Sequence, residues 1–197
     1  MPRYAAIDIG SNSIRMEAAE VVPGLAARVL ASDREVTRLG EGVFSNGTVG
    51  EEAMKATCAV LARMAGLYRK LDVVGVRVVA TSAIRDTRNQ REFLARAAEA
   101  AGAPVEIISG REEARLIHLG VESVWPQRDK RVLIIDIGGG SAEIIAADRG
   151  HLVEAYSKPL GAVRLREAFL KDDPPGARQI HQMHEYIQAK QIGRAHV

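Results

Sequence analysis

The sequence predicts an α/β protein built on a mostly parallel sheet, with its opening unit begun a second time further along. Three observations predict it. Strand-like and helix-like runs alternate through the middle of the chain, "IDIGSNSIR" at Ile7 is closely repeated as "IDIGGGSAE" at Ile135, and each copy is followed by the same strand–strand pattern. Alternation of strand and helix implies right-handed crossovers and parallel pairing. A repeat of this size implies two similar domains, expected to face one another across a cleft.

The elements follow in order. "YAAIDIG" is an apolar run that stops at Gly, "SIRMEAAEVV" alternates until Pro23-Gly24, and "AARVLASDREVTRL" resumes after that turn, so a three-strand meander is expected. "TVGEEAMKATCAVLARMAGLYRKL" carries apolar residues at helical spacing, with Glu51 and Glu52 near its start and Arg69 and Lys70 at its end, as the helix dipole favours. Strand "VVGVRVVA", loop "TSAIRDTRN", helix "QREFLARAAEAAG", strand "VEIIS" and helix "REEARLIHLGVESV" complete a βββαβαβα order. Trp125 to Lys130 is polar and broken by Pro126, so the first domain is expected over 1–125. "RVLIIDIG", "SAEIIAADRG" and "HLVEAYSKPLG" then restart the meander, with matches at Ile9/Ile137, Gly10/Gly138, Ser13/Ser141, Ala18/Ala146 and Ala19/Ala147. A helix, "RQIHQMHEYIQAKQ", ends an incomplete second domain over 126–191. "IGRAHV", Ile192 to Val197, has the form of a translated sequencing-library adapter and is expected to be an assembly artefact, with the natural chain continuing.

Composition narrows the classes of function. Among 197 residues, 47% are hydrophobic and 26% charged, and the formal charge is only +2. A chain of that balance can bury a core, and it carries no extended footprint for nucleic acid or a membrane surface. No apolar run approaches the ~20 residues of a membrane span. The single cysteine, Cys58, cannot form an internal disulfide and sits among apolar helical neighbours as an inert thiol. No targeting pattern opens the chain, so cytoplasm is the expected location. His118, His151, His181 and His184 form no metal set and read as surface residues.

The repeated loops carry the chemistry. Each places an Asp at the end of a strand and then Gly with small residues, whose backbone N–H groups can approach an anion closely. Gly138, Gly139, Gly140 and Ser141 form the sharper loop; Ser11, Asn12 and Ser13 add hydroxyl and amide donors. A single loop of this kind more often merely turns a hairpin than binds, but two at equivalent places point to phosphate. Arg15 in the first copy becomes Glu143 in the second, so one copy offers a phosphate-pairing cation and the other a carboxylate. Asp136 with Glu143 is suited to magnesium held through oxygens and water, the alternative being that Glu143 starts a strand and simply faces water. Thr81, Ser82 and Arg85, after strand "VRVVA", are further anion donors, and Asp86 and Asn89 are expected to cap the next helix. In "SGREEARL", Ser109 and Glu112 fit a capping box. That leaves Glu113 either as a general base for water or as a second acid complementing the helix dipole.

With "DIGSNSIR", "ATSAIRDTRN", "IISGREEARLIHLGVE" and "IDIGGGSAEI" in that order, the chain over Tyr4 to Gln191 resembles the amino-terminal part of the exopolyphosphatase/guanosine pentaphosphate phosphohydrolase (Ppx/GppA) family, within the actin, Hsp70 and sugar-kinase superfamily. The resemblance implies a ribonuclease-H-like fold duplicated around a cleft, and magnesium-dependent hydrolysis of terminal phosphate from polyphosphate or pppGpp. It implies that Glu113 activates water, that Asp136 and Glu143 hold magnesium, and that Ser11 to Arg15, Arg85 and Gly138 to Ser141 bind phosphate. A later Gly-Ser-Gly-Thr-type loop and further carboxyl-terminal domains of the family have no counterpart here. The chain as given is therefore expected to be weakly active or inactive, with an exposed apolar surface on the second domain, and a homodimer is an expectation for the full-length protein. The competing expectations are a kinase-like transferase of the same superfamily and a non-catalytic sensor of polyphosphate or guanosine polyphosphates.

Overall fold

The computed structural model describes residues 1–190; the expected artefact at Ile192 to Val197 lies outside the described residues. Packing divides the chain into two compact units, the first running from Met1 to Ser109 and the second beginning at Gly110. The sequence reading puts this division after residue 125. The helix over 110–124 is grouped with the second unit because it packs on the last two strands of that unit's sheet.

The first unit opens with the meander β1 (Arg3–Ile9), β2 (Ile14–Glu20) and β3 (Arg28–Glu35). Then follow α1 (Val43–Asn46), α2 (Glu51–Arg69), β4 (Gly75–Ala80), α3 (Ser82–Asp86), α4 (Gln90–Ala101) and β5 (Val105–Ile107). The sheet order is β3-β2-β1-β4-β5. The meander pairs antiparallel, and β4 and β5 add parallel strands beyond β1. With α5 (Gly110–Val124) next in the chain, and with short α1 and α3 inserted, the order is the expected βββαβαβα.

Burial alternates along β1, with Ala5, Ile7 and Ile9 inside and Tyr4, Ala6 and Asp8 outside. The inside face meets Met16 and Ala18 of β2, Val78 of β4, Leu61 and Met64 of α2, and Phe93 and Ala97 of α4 in one core. On α2 the buried residues Met54, Thr57, Val60, Leu61, Met64, Ala65 and Tyr68 recur at helical spacing. At the far end of α2 the Tyr68 hydroxyl donates to the Ala101 carbonyl of α4. Burial pushes the Cys58 thiol up, away from the thiolate. "TSAIRDTRN" is expected as loop, yet Ser82 to Asp86 close a short helical turn, with the N–H groups of Ile84 and Arg85 both donating to the Thr81 carbonyl. Asn89 precedes α4 but does not cap it with its side chain. Its amide instead clamps Val49 ahead of α2, accepting from Val49 N–H at 2.9 Å and donating to Val49 carbonyl at 3.0 Å.

The second unit begins with α5 and continues through β6 (Arg131–Ile137), β7 (Ala142–Asp148), β8 (His151–Lys158), α6 (Ala162–Phe169) and α7 (Ala177–Ala189). Its sheet is antiparallel in the order β6-β7-β8. Arg149 and Gly150 both take positive φ, 54° and 79°, in the tight turn between β7 and β8. α5 runs back along β8. At one end a Cβ on Gly110 would lie 2.4 Å from that of Ser157, and at the other a Cβ on Gly150 would lie 2.9 Å from Glu122 Oε1. His118, expected at the surface, is buried at 5% exposure, because with Gly110 and Ala114 it lines the face of α5 turned to the sheet. α6 was not expected from the sequence; eight residues without a side-chain cap leave a weak helical signal. Among the described residues no helix is long and apolar enough to cross a membrane.

Candidate active site

In the first unit the loop after β1 is closed by Gly10 N–H donating to the Ser13 carbonyl at 3.1 Å. Ser11 is buried, and its Oγ accepts from Ala83 N–H at 3.2 Å, which ties this loop to the first turn of α3. Thr81 N–H donates to the Ile9 carbonyl at 3.2 Å, and Thr81 and Ser82 are buried beside it. Sequence-predicted residues from two distant segments therefore meet at the carboxyl ends of β1 and β4, where parallel strands of α/β sheets present ligand sites. Asn12 and Ser13 are half-buried, and Arg15 is exposed directly across the hairpin from Asp8. Arg85 extends from α3 so that its Nη1 donates to the Ile108 carbonyl just beyond β5, at 2.7 Å.

The second unit repeats the loop with Gly138 N–H donating to the Ser141 carbonyl at 3.0 Å. Here the register that sets Asp8 opposite Arg15 sets Asp136 opposite Glu143. Residues directly opposed on neighbouring strands share a face, and two like charges so placed repel one another. Asp136 is exposed, while Glu143 is only 1% exposed and accepts from Ser157 Oγ at 2.7 Å. Two opposed carboxylates beside a loop of backbone N–H groups suit a hard divalent cation such as magnesium, whose other positions water can fill. Among the described residues no third His, Cys, Asp or Glu joins them in a metal-binding group.

Ser157 also brings the helix into this neighbourhood. It touches Gly110 at the start of α5, so the helix's first turn lies at the end of the sheet that bears Glu143. In that turn Glu112 pairs with Arg115 through two hydrogen bonds, at 2.7 and 2.8 Å. Glu113 is half-buried one turn on from Gly110. The residues missed from sequence are Ser157 and Gly110. Ser157 is an ordinary strand residue whose place opposite Glu143 exists only in the folded register. A separate groove of about 440 Å³ on the open face of the first sheet, lined by Tyr4, Glu17, Val21 and Arg77 among others, contains none of the candidate residues.

Residues 18–195 match the Ppx/GppA phosphatase family. The chain belongs to the Ppx/GppA family. It is 37% identical over 188 residues to exopolyphosphatase 2 of Mycobacterium tuberculosis, an alignment covering 91% of this chain and 59% of that protein. The chain thus spans about 59% of the length of the curated relatives it matches. Among solved structures, an exopolyphosphatase from Cytophaga hutchinsonii superposes with a TM-score of 0.89 at 29% identity, over 96% of this chain and 61% of that one. The Aquifex aeolicus PPX-GPPA enzyme superposes with a TM-score of 0.77 at 33% identity, over 96% and 62%. A chain of the PilM–PilN type IV pilus complex, at 13% identity and a TM-score of 0.52 over 94% of this chain and 72% of that one, shares the fold alone.

Proposed function

We propose that this chain carries the phosphate-binding and water-activating groups of a phosphoanhydride hydrolase acting on the terminal phosphate of polyphosphate or pppGpp. The observation that carries the reading is the arrangement around Ser157, which brings Glu113 to the same end of the second sheet as Glu143 and the Gly138–Ser141 loop. Membership of the Ppx/GppA family supports it.

Within the first unit, Ser11, Asn12 and Ser13 with Arg15, Thr81, Ser82 and Arg85 are donors suited to phosphate oxygens. Within the second unit, the N–H groups of Gly138 to Ser141 are donors of the same kind. Glu113 takes a proton from water as the water oxygen bonds to the terminal phosphorus. The bridging P–O bond breaks opposite it, and the shortened polyphosphate, or ppGpp, leaves with the electron pair. Asp136 and Glu143 are the residues that would hold magnesium, and the bound ion would supply charge neutralisation at the phosphoryl oxygens.

The test is phosphate release from long-chain polyphosphate and from pppGpp in the presence of magnesium by the protein extended to the length of its relatives, with tripolyphosphate binding measured alongside. Replacing Glu113 by Gln is expected to lower release by about 10²–10⁴-fold while binding persists. Binding by both forms with no release from either would end the hydrolase reading and assign the chain to sensing. Release that appears only as transfer from ATP to an added acceptor would assign it to the transferases.

A further inference from the structure

A Gly-rich loop can turn either its carbonyls or its N–H groups towards a ligand, and only the second choice suits phosphate. Around Gly138–Ser141 every carbonyl is already taken. Ala162 N–H donates to the Gly138 carbonyl at 2.9 Å, and the N–H groups of Val163 and Arg164 both donate to the Gly139 carbonyl, at 2.8 and 3.0 Å. Arg164 Nε donates to the Gly140 carbonyl at 2.7 Å, and the Ser141 carbonyl accepts from Gly138. The first N–H groups of α6, which a helix cannot satisfy internally, are thus capped by the loop itself. Among the described residues no protein acceptor takes the N–H groups of Gly139, Gly140 or Ser141. The approach is close: a Cβ on Gly161 would lie 2.4 Å from the Gly139 carbonyl group and from the Gly140 carbonyl carbon.

The first unit contains the same device in simpler form. Gly40 N–H donates to the Ser11 carbonyl at 2.7 Å and Arg38 N–H to the Asn12 carbonyl at 3.0 Å, and a Cβ on Gly40 would lie 3.0 Å from Ser11. Both clasps follow the third strand of their meander, and both are written Leu-Gly, as Leu39-Gly40 and Leu160-Gly161. In the second unit a side chain joins the backbone donors.

We infer that Gly161 and Arg164 are positioning residues of the phosphate loop: they hold its carbonyls against α6 so that the N–H groups of Gly139, Gly140 and Ser141 face the bound phosphate. This rests on the phosphate reading given above. Arg164 acts through the loop and is not itself assigned to the substrate.

The experiment compares the full chain with Arg164→Gln, Arg164→Lys and Gly161→Ala, using tripolyphosphate with magnesium as the probe. Calorimetry gives affinity, amide NMR follows the Gly139, Gly140 and Ser141 signals, and thermal unfolding reports on the fold. Arg164→Gln is expected to weaken binding about tenfold, and Arg164→Lys to recover most of that loss, because a charged donor to the Gly140 carbonyl is restored. The thermal midpoint is expected to stay within about 4 °C, which separates lost orientation from lost stability. In the absence of ligand, the Gly139 and Gly140 amides should become more mobile in Arg164→Gln. Gly161→Ala is expected to weaken binding further, and Arg164→Gln keeps the test valid should that variant not fold. Wild-type affinity and unchanged loop signals in Arg164→Gln would overturn the positioning role while leaving the phosphate reading intact. A wild-type chain whose loop amides do not respond to tripolyphosphate would overturn both.

Discussion

Ile7 and Ile135 hold the same place in the two copies of one motif, yet Ile7 is 1% exposed and Ile135 is 58% exposed. Their neighbours behave alike: Ala5 and Ile9 are buried, whereas Leu133 and Ile137 are open. Strand pairing does not explain this, because β1–β2 and β6–β7 share one register. The cause is what lies over the strands. In the first unit α2 and α4 build the core against Ala5, Ile7 and Ile9. In the second, α5 covers the opposite face, the one bearing Glu143 and Ser157, while α6 and α7 bury none of their own residues. Side-chain alternation decides which residues share a face; only another element decides whether that face becomes core.

The comparison is broken or sharpened most strongly by truncating the repeated isoleucines. Ile7→Ala should destabilise the first unit by roughly 2–5 kcal/mol, through lost burial and the cavity left behind. Ile135→Ala should change stability by no more than about 0.5 kcal/mol, as expected for an exposed site. Denaturant titration followed through the amide signals of each unit separates the two effects. Similar costs at both positions would mean that β6 is covered in solution as β1 is.

An intermediate effect is expected from pH, because the ion pair at the ends of the first hairpin is also written twice. Arg3 and Glu20 lie 3.2 Å apart, and their counterparts Arg131 and Asp148 lie 3.4 Å apart. Among the described residues only Glu20 has a second cationic partner, Arg28 at 2.6 Å. The hydrogen bond from Arg28 is the main cause holding the Glu20 carboxyl below its ordinary value of 4.5; burial opposes it, and Arg3 adds to the lowering. A depressed carboxyl contributes stability above its unfolded value and loses it as pH falls through the folded one. Acid titration should therefore weaken the first unit progressively below about pH 4.5, and Glu20→Gln should flatten that part of the profile. An unchanged profile in Glu20→Gln would show that other carboxyls govern acid sensitivity.

Much of this was legible in the sequence because it is local or repeated. The Asp-Gly loops, the amphipathic spacing of α2 and the paired glutamates of α5 can all be read within a few turns of chain. Other features depend on distant partners. His118 shares its α5 face with Ala114, but its burial depends on β7 and β8 packing there. Ser157 has no distinguishing local pattern until register sets it beside Glu143. Asn89 looks like a cap and spends its amide on Val49, forty positions earlier. The Leu-Gly pairs were visible as letters, but their meaning required seeing which carbonyls their neighbours hold.

The smallest expected effect is at Arg131. Its side chain is 87% exposed and, among the described residues, Asp148 has no second arginine, so most of the pair's attraction is screened by water. Arg3, by contrast, is 39% exposed, shares the buried carboxylate of Glu20 and also donates to the Leu71 carbonyl at 3.1 Å. Arg131→Ala should therefore shift stability by less than about 0.5 kcal/mol, and Arg3→Ala by more, since it leaves the buried Glu20 carboxylate and the part-buried Leu71 carbonyl each one donor short. Added salt should erase the small Arg131 effect first, because screening acts most on exposed pairs. Equal, salt-insensitive losses at the two positions would mean that the second hairpin is as enclosed as the first, and the contrast between Ile7 and Ile135 would then need a cause other than the covering helices.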